Sequence, residues 1–441
     1  MKAIVLSVGD ELVRGQTVDT NSAWISQQLL ANGCDVAEHR TVGDDQSGIE
    51  RAIADATPRC DSIIITGGLG PTDDDLTRQA IAAVLGVELE LRQDWLDRIA
   101  AYFARINRPM AERNKIQAML PRGCDLLDNP VGTACGIACR VPPADCRLFS
   151  LPGVPREMKQ MFADHVLPWI KQRSGGSVIL QKTLHTFGLG ESNIAERLGD
   201  LMRRDRNPSV GTTVSNNIVS LRINARFDTR DEAERDMQQT IAACHEKLGE
   251  LIFGQDDESL SHVVAGLLTQ SATGDRGSSV LTVTTAESCT GGLLAKMLTD
   301  IPGSSDYFKT GFITYSNQSK RDRLGVSENL INVHGAVSEP VVLAMAKGAR
   351  RLANADYALA ISGVAGPGGG TEAKPVGTVC IALAHLPPSD TPRPQRDRED
   401  EVTAVARTFK FTGDRQAIRD RAAKMALTML RFRLLGKPMP F

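Results

Sequence analysis

Val283-Thr284-Thr285-Ala286-Glu287-Ser288-Cys289-Thr290-Gly291-Gly292-Leu293 reads as an apolar strand that ends in small polar residues and runs straight into a helix start. Strand, small-residue turn and helix in that order make the unit from which α/β folds with mostly parallel sheets are built. The alternation recurs in both directions along the chain. Toward the N-terminus it predicts strands near 2–8, 34–42 and 61–66, helices near 20–32, 46–57 and 75–86, and a later strand at Leu148–Leu151. Toward the C-terminus, Tyr315-Ser316-Asn317-Gln318-Ser319-Lys320 follows one predicted strand and Ile361-Ser362-Gly363-Val364-Ala365-Gly366-Pro367-Gly368-Gly369-Gly370 follows another. Between these stretches the style changes: a helix near 190–203, a strand pair around Ser209–Phe227 and a helix at Arg230–Leu248 suggest a small α+β module. The expectation is an α/β protein in which two three-layer α/β domains, over 1–170 and 256–441, are joined by a small α+β domain over 171–255. The last block opens with a helix at Leu260–Leu268 and crosses the Gly/Ser-rich stretch 271–279. The Pro- and charge-rich residues between Leu386 and Glu401 read as a long exposed hairpin loop.

Composition narrows the function classes. The chain has 441 residues, of which 41% are hydrophobic and 24% charged, with a formal net charge of -2, as expected of a globular chain of two or three domains. Lys and Arg are scattered rather than blocked and aromatics are only 4%, so neither the electrostatic footprint nor the stacking platforms of a nucleic-acid binder are present. The run Met1–Leu6 is too short for a signal sequence, and no apolar stretch approaches the roughly 18 residues of a membrane span. Nine cysteines without zinc spacing fit a reducing compartment, so a cytoplasmic location is expected.

The chemistry concentrates after strand ends. Backbone N–H groups at the Ser288–Gly292 turn can hold a phosphate or a developing oxyanion, and Gly291 and Gly292 permit close approach. Ser288 is the candidate nucleophile, although a bare S-C-T-G-G string reads equally as a helix cap. Its company favours a site: three polar or glycine-rich turns, including Ser362, Gly363 and Gly366, sit at strand C-terminal ends, where α/β sheets bind ligands. Lys320, partly desolvated there, would have its pKa lowered enough to serve as base for a serine hydroxyl; alone, it reads as a solvated helix residue. Arg415, in Gly413-Asp414-Arg415, can clamp a phosphate or simply follow a helix cap.

The strings A-E-S-C-T-G-G, Y-S-N-x-x-K, G-V-A-G-P-G-G, Lys374–Val379 and G-D-R together resemble the nicotinamide-nucleotide amidase domain of the competence-damage-inducible CinA family, over most of 258–435. The resemblance implies that Ser288 attacks the carboxamide of nicotinamide mononucleotide, activated by Lys320, with Tyr315 and Thr290 lining the site and Arg415 a phosphate ligand. It implies no cofactor for this half.

The first block has its own constellation: Ser7–Leu12 after one strand, Val42–Asp45 after the next, and Thr66-Gly67-Gly68-Leu69-Gly70-Pro71-Thr72-Asp73-Asp74-Asp75 after a third. A glycine-rich turn entering a helix suits a phosphate, and neighbouring carboxylates suit a hard divalent cation; the same aspartates also read as an acidic helix start. With Thr17–Asn21, Asn114–Ala118, Asn129–Ala134 and Leu151–Met158, these turns resemble the molybdopterin-binding fold in the version found at the N-terminus of CinA proteins. That version is associated with metal-dependent cleavage of ADP-ribose to AMP and ribose 5-phosphate. The resemblance implies a divalent ion of the Mg or Co type near Asp44 and Asp75, a glycine cradle of Gly67, Gly68 and Gly70, and phosphate contact in the Asn114-Lys115 segment through Lys115. Gly9-Asp10-Glu11 departs from the Gly-Thr-Glu of many relatives and adds Asp10 as a further candidate metal ligand.

The resulting expectation is a bifunctional nucleotide hydrolase acting on nicotinamide mononucleotide and ADP-ribose. It would need neither nucleic acid nor membrane, and its middle module would help to hold a homodimer. Two other readings stay open: an amidase with an N-terminal molybdopterin-binding or nucleotidyl-transfer module, and a non-catalytic scaffold related to competence.

Overall fold

The structure, a computed structural model, describes residues 1–174, 178–270, 280–386 and 401–440. The Gly/Ser-rich stretch 271–279 and the interior of the expected hairpin loop, 387–400, lie outside the described residues. The chain divides into two compact units, one of 1–181 with 224–238 and one of 182–223 with 239–441.

The first unit carries β1 (Lys2–Val8), β2 (Asp35–Val42), β3 (Ser62–Thr66), β4 (Leu89–Leu91), β5 (Met119–Pro121), β6 (Asp125–Leu127), β7 (Gly136–Val141) and β8 (Cys146–Leu151). Six of these form one sheet in the order β2-β1-β3-β8-β7-β6. The β2-β1-β3-β8 part is parallel and β8-β7-β6 antiparallel, while β4 and β5 pair separately. Alternation along the apolar strands sets the layers. Ile4, Leu6, Ile63 and Ile65 pack against the helices Gln46–Ala56, Thr77–Leu85 and Gln93–Arg105. Ala3, Val5 and Ile64 face the other way, onto Thr20–Ala31 and the helical stretch from Pro155 to Arg173. Period two in the strands therefore buries both faces of one sheet.

Next come β9 (Val178–Thr186), β10 (Ser209–Ser215), β11 (Ile218–Phe227) and β12 (Ile252–Gln255), a four-stranded sheet in the order β10-β11-β9-β12 with the long helix Arg230–Leu248. The boundaries of the two compact units fall inside this block, within β9, β11 and the long helix.

The second unit is built on β13 (Val283–Glu287), β14 (Phe308–Ile313), β15 (Tyr357–Gly363), β16 (Thr378–His385) and β17 (Thr403–Lys410), in the order β14-β13-β15-β16-β17. The first three strands are parallel and the last two form an antiparallel hairpin around residues 387–400. Val283, Leu359, Ile361, Ile381 and Leu383 pack against the helices Leu260–Gln270, Leu293–Thr299 and Arg415–Leu434. On the reverse face Ala286, Ala358, Ala360, Ala382 and Ala384 keep the surface low, and the helix Glu339–Ala353 lies directly on it. No helix among the described residues is long and apolar enough to cross a membrane.

Candidate functional sites

Parallel strands β13, β14 and β15 end side by side, so the residues that follow them converge. Ser288 comes directly after β13 and its N–H bonds to Ile361 O at 2.9 Å. Thr314 follows β14, and a helix Asn317–Leu324, started by a reciprocal Ser316/Ser319 capping box, turns Lys320 back toward the strand ends. The Lys320 ammonium is 1% exposed and donates to Ser288 Oγ at 3.0 Å, to Thr314 O at 2.8 Å and to Tyr315 O at 3.4 Å. No carboxylate is among those partners, and burial lowers the amine below its ordinary value. A serine hydroxyl facing a desolvated amine is the arrangement of a nucleophile with its base.

Around this pair, Thr290 and Thr314 have buried side-chain hydroxyls without a hydrogen-bond partner. Such groups await a ligand or a water. Tyr315 is 60% exposed, and its hydroxyl accepts from Arg415 at 3.0 Å; the same guanidinium reaches Gly366 O at 2.7 Å. Asp414 caps its helix through Ala417 N at 2.8 Å, so this motif is both a helix cap and a loop clamp.

The turn itself corrects one expectation. Glu287, only 1% exposed, accepts from the N–H groups of Gly292 at 3.0 Å, Leu294 at 3.1 Å and Ala295 at 2.8 Å. Of these three donors Gly292 belongs to the turn that the sequence reading offered to a phosphate or oxyanion, and it is already satisfied from within the protein. The N–H groups of Ser288 and Gly291 are also taken, by Ile361 O and Ser288 O. Cys289 and Thr290 remain as the N–H donors of the turn without a protein acceptor among the described residues.

Other expected residues have structural duties. Ser362 is buried and its hydroxyl donates to Ala336 O at 2.7 Å, so it ties a loop rather than facing Ser288. At Gly363 a side chain would meet Val379 at 2.7 Å, and at Gly366 it would meet Val376 at 2.6 Å, so close packing accounts for both glycines. Arg419 was missed: one turn after Arg415, it donates to Thr290 O at 2.6 Å. Its spacing of four from Arg415 was the available signal.

The first unit has a cavity of about 470 Å³ at the C-terminal ends of β1, β3 and β8. Gly67, Gly68, Gly70, Asp44 and Asp75 line it as expected, together with Glu11, Asp74, Gln117 and Glu157. Gly67 and Gly68 take φ of 106° and 67°, and a Cβ on Gly67 would lie 2.3 Å from Val8 O. Arg78, fully buried, donates to Leu69 O at 2.6 Å and Gly70 O at 3.1 Å, fixing the loop from behind; nothing in its sequence context marked it.

Three expected residues are not among those lining this cavity. Lys115 is half exposed and paired with Glu112 at 2.5 Å, and Asn114 is buried with its amide on Gln117. Asp10 holds Arg14 at 2.5 Å and accepts from the backbone N–H of Asp44. The short helical turn over Glu112–Ala118 presents Gln117 instead, a periodicity too brief to read from sequence. Asp75 spends its carboxylate on Gly70 N at 2.7 Å, Thr72 N at 2.9 Å and the Thr72 hydroxyl. Asp44 is raised above its ordinary value by burial and by the neighbouring charges of Asp10, Glu11 and Asp74. Among the described residues no three His, Cys, Asp or Glu side chains are grouped to hold a metal ion, so Asp10, Asp44 and Asp75 are not assembled as a ligand set.

Comparison with known proteins follows the same three stretches. Residues 4–172 match the family described as probable molybdopterin binding domain, 181–254 the damage-inducible protein CinA KH domain, and 268–434 the CinA C-terminal domain. A protein of Symbiobacterium thermophilum, named for competence-damage induction, is 43% identical over 444 residues, covering 99% of each chain. A CinA-like protein of Geobacter sulfurreducens is 41% identical over 436 residues, covering 99% of this chain and 100% of its own. Among solved structures, a competence/damage inducible protein from Agrobacterium tumefaciens is 37% identical, covers 40% of this chain and 93% of its own, and has a TM-score of 0.34.

Proposed function

This chain belongs to the CinA family, and from that premise we propose that its C-terminal α/β region hydrolyses the carboxamide of nicotinamide mononucleotide to nicotinate mononucleotide and ammonia. The observation that carries this reading is the buried 3.0 Å contact between Lys320 Nζ and Ser288 Oγ, with no carboxylate among the hydrogen-bond partners of the lysine. Neutral Lys320 takes the Ser288 proton as the oxygen attacks the carboxamide carbon. The Cys289 and Thr290 N–H groups are the donors placed to receive the oxyanion. The lysine proton then passes to the departing nitrogen, which leaves as ammonia, and water deprotonated by the same amine splits the acyl ester on Ser288. Arg415, with Arg419 one turn further, supplies the positive charge for the substrate phosphate.

For the first unit the proposal is cleavage of ADP-ribose to AMP and ribose 5-phosphate. Its support is the glycine-turn cavity at the strand ends. That cavity is lined by five carboxylates, Glu11, Asp44, Asp74, Asp75 and Glu157, and among the described residues by no Lys, Arg or His, so a diphosphate must arrive with its charge already compensated. No ready metal cage is present among the described residues, and no step is built on one.

Purified protein incubated with nicotinamide mononucleotide should yield ammonia and nicotinate mononucleotide in equal amounts. With ADP-ribose and a magnesium or cobalt salt it should yield AMP. Absence of ammonia would refute the first assignment; ADP-ribose left intact would favour the pterin-binding alternative for the second.

A further inference from the structure

At the opposite end of the five-stranded sheet from Ser288 lies a cavity of about 240 Å³ between the β16–β17 hairpin and the helix Arg415–Leu434. Its position follows from register. His385, at its edge, pairs with Tyr357 at the start of β15, whereas Ser288 follows the end of the parallel β13. Leu383, Val405, Met429 and Phe432 make apolar walls, Thr403, Arg407, Arg433 and Lys437 border them, and among the described residues no carboxylate lines the space.

One buried polar group in this cavity has no partner, and one exposed cation borders it. His385 is 5% exposed and its Nδ1 is buried without a hydrogen-bond partner. Arg433 lines the same space, and its guanidinium has no hydrogen bond or ion pair among the described residues. The neighbouring Lys437, by contrast, is already neutralised by Glu250. Buried imidazole nitrogens are ordinarily paired, and an arginine at the mouth of an apolar space can clamp a carboxylate bidentately.

We propose that this cavity binds a small organic anion: a carboxylate with a short apolar chain, its head held by Arg433 and His385 and its chain laid against Met429, Phe432, Leu383 and Val405. A bare inorganic ion would leave the apolar walls unfilled, and a neutral hydrocarbon would leave both polar groups unpaired. The side chains of the two methionines that border the space, Met429 and Met439, adapt readily to a flexible chain. The inference is independent of the amidase reading, because none of these residues belongs to the Ser288 site.

The test is calorimetric titration of the full-length protein with hexanoate, its neutral isostere hexanamide, and inorganic phosphate. Hexanoate should bind saturably, with hexanamide and phosphate each at least about tenfold weaker, the loss expected when a charge-assisted hydrogen bond or the apolar contact is removed. Arg433→Gln, at an exposed position that folding tolerates, should weaken hexanoate by at least about tenfold while leaving ammonia release intact. Ser288→Ala should bind hexanoate like the wild type. No saturable binding, equal affinity for hexanamide, no effect of Arg433→Gln, or loss of binding in Ser288→Ala would each overturn the proposal.

Discussion

A lysine with only carbonyl and hydroxyl oxygens around it is the residue on which the chemistry turns. Lys320 loses its hydration and gains no counter-charge, so its neutral form is favoured at a lower pH than that of a solvated amine. The sign of the linked stability effect follows directly. Between the lowered native value and the ordinary 10.5, the unfolded chain holds more protons than the native one, so stability rises with pH across that window. Lys320→Met should therefore gain most over wild type at the acid end; urea midpoints followed from neutral pH up to the ordinary 10.5 would show the gap narrowing, and a constant gap would contradict it. Gly67 offers a second single-residue test. With φ of 106° and Val8 O at 2.3 Å from any Cβ, Gly67→Ala should destabilise the first unit by about 1–3 kcal/mol and abolish AMP release. Wild-type thermal stability in that variant would show the turn to be far more yielding than its geometry implies. Ser288 and Lys320 were legible because their strings follow strands. Ser362 bonds a neighbouring loop, a duty that a polar residue at a strand end does not announce in sequence.

At the scale of elements, Glu287 has a role no pattern announced. A carboxylate at the end of a fully buried strand would ordinarily be a burden, yet three backbone N–H groups of the Gly292–Ala295 segment satisfy it. It holds the turn between nucleophile and helix, and it narrows the choice of oxyanion donors to Cys289 and Thr290. Glu287→Gln replaces one accepting oxygen by an N–H₂ that faces donors, so it should destabilise the second unit by about 1–3 kcal/mol and lower kcat more than it raises KM. An unchanged kcat would show that the cap does not position the turn. Long apolar or amphipathic elements such as Lys2–Val8, Ser62–Thr66 and Arg230–Leu248 emerged close to their expected bounds, because periodicity over many residues is a strong signal. The three-residue strands Leu89–Leu91, Met119–Pro121 and Asp125–Leu127 escaped reading. They are too short to show alternation and are defined by their partners rather than by their own composition.

At the scale of the whole molecule, the mixed α/β architecture was legible from the strand–turn–helix alternation. The boundaries of the two compact units fall within the middle block, in β9 and β11, at positions that no local string marks. Two candidate sites, one in each unit, rest on unrelated chemistry, which makes them separable by experiment. A chelator should stop AMP release from ADP-ribose while leaving ammonia release from nicotinamide mononucleotide unchanged, and Ser288→Ala should do the reverse. Joint loss under either treatment would mean that the two halves do not act separately.

The most direct test is the rate of ammonia release from nicotinamide mononucleotide by wild type, Ser288→Ala and Lys320→Ala under identical conditions. Each substitution should lower kcat by at least about a thousandfold with substrate affinity largely kept, and the pair together should lose scarcely more than either alone, as residues that act as a unit do. Turnover close to wild type in either single variant would contradict the assignment of Ser288 as nucleophile and Lys320 as its base.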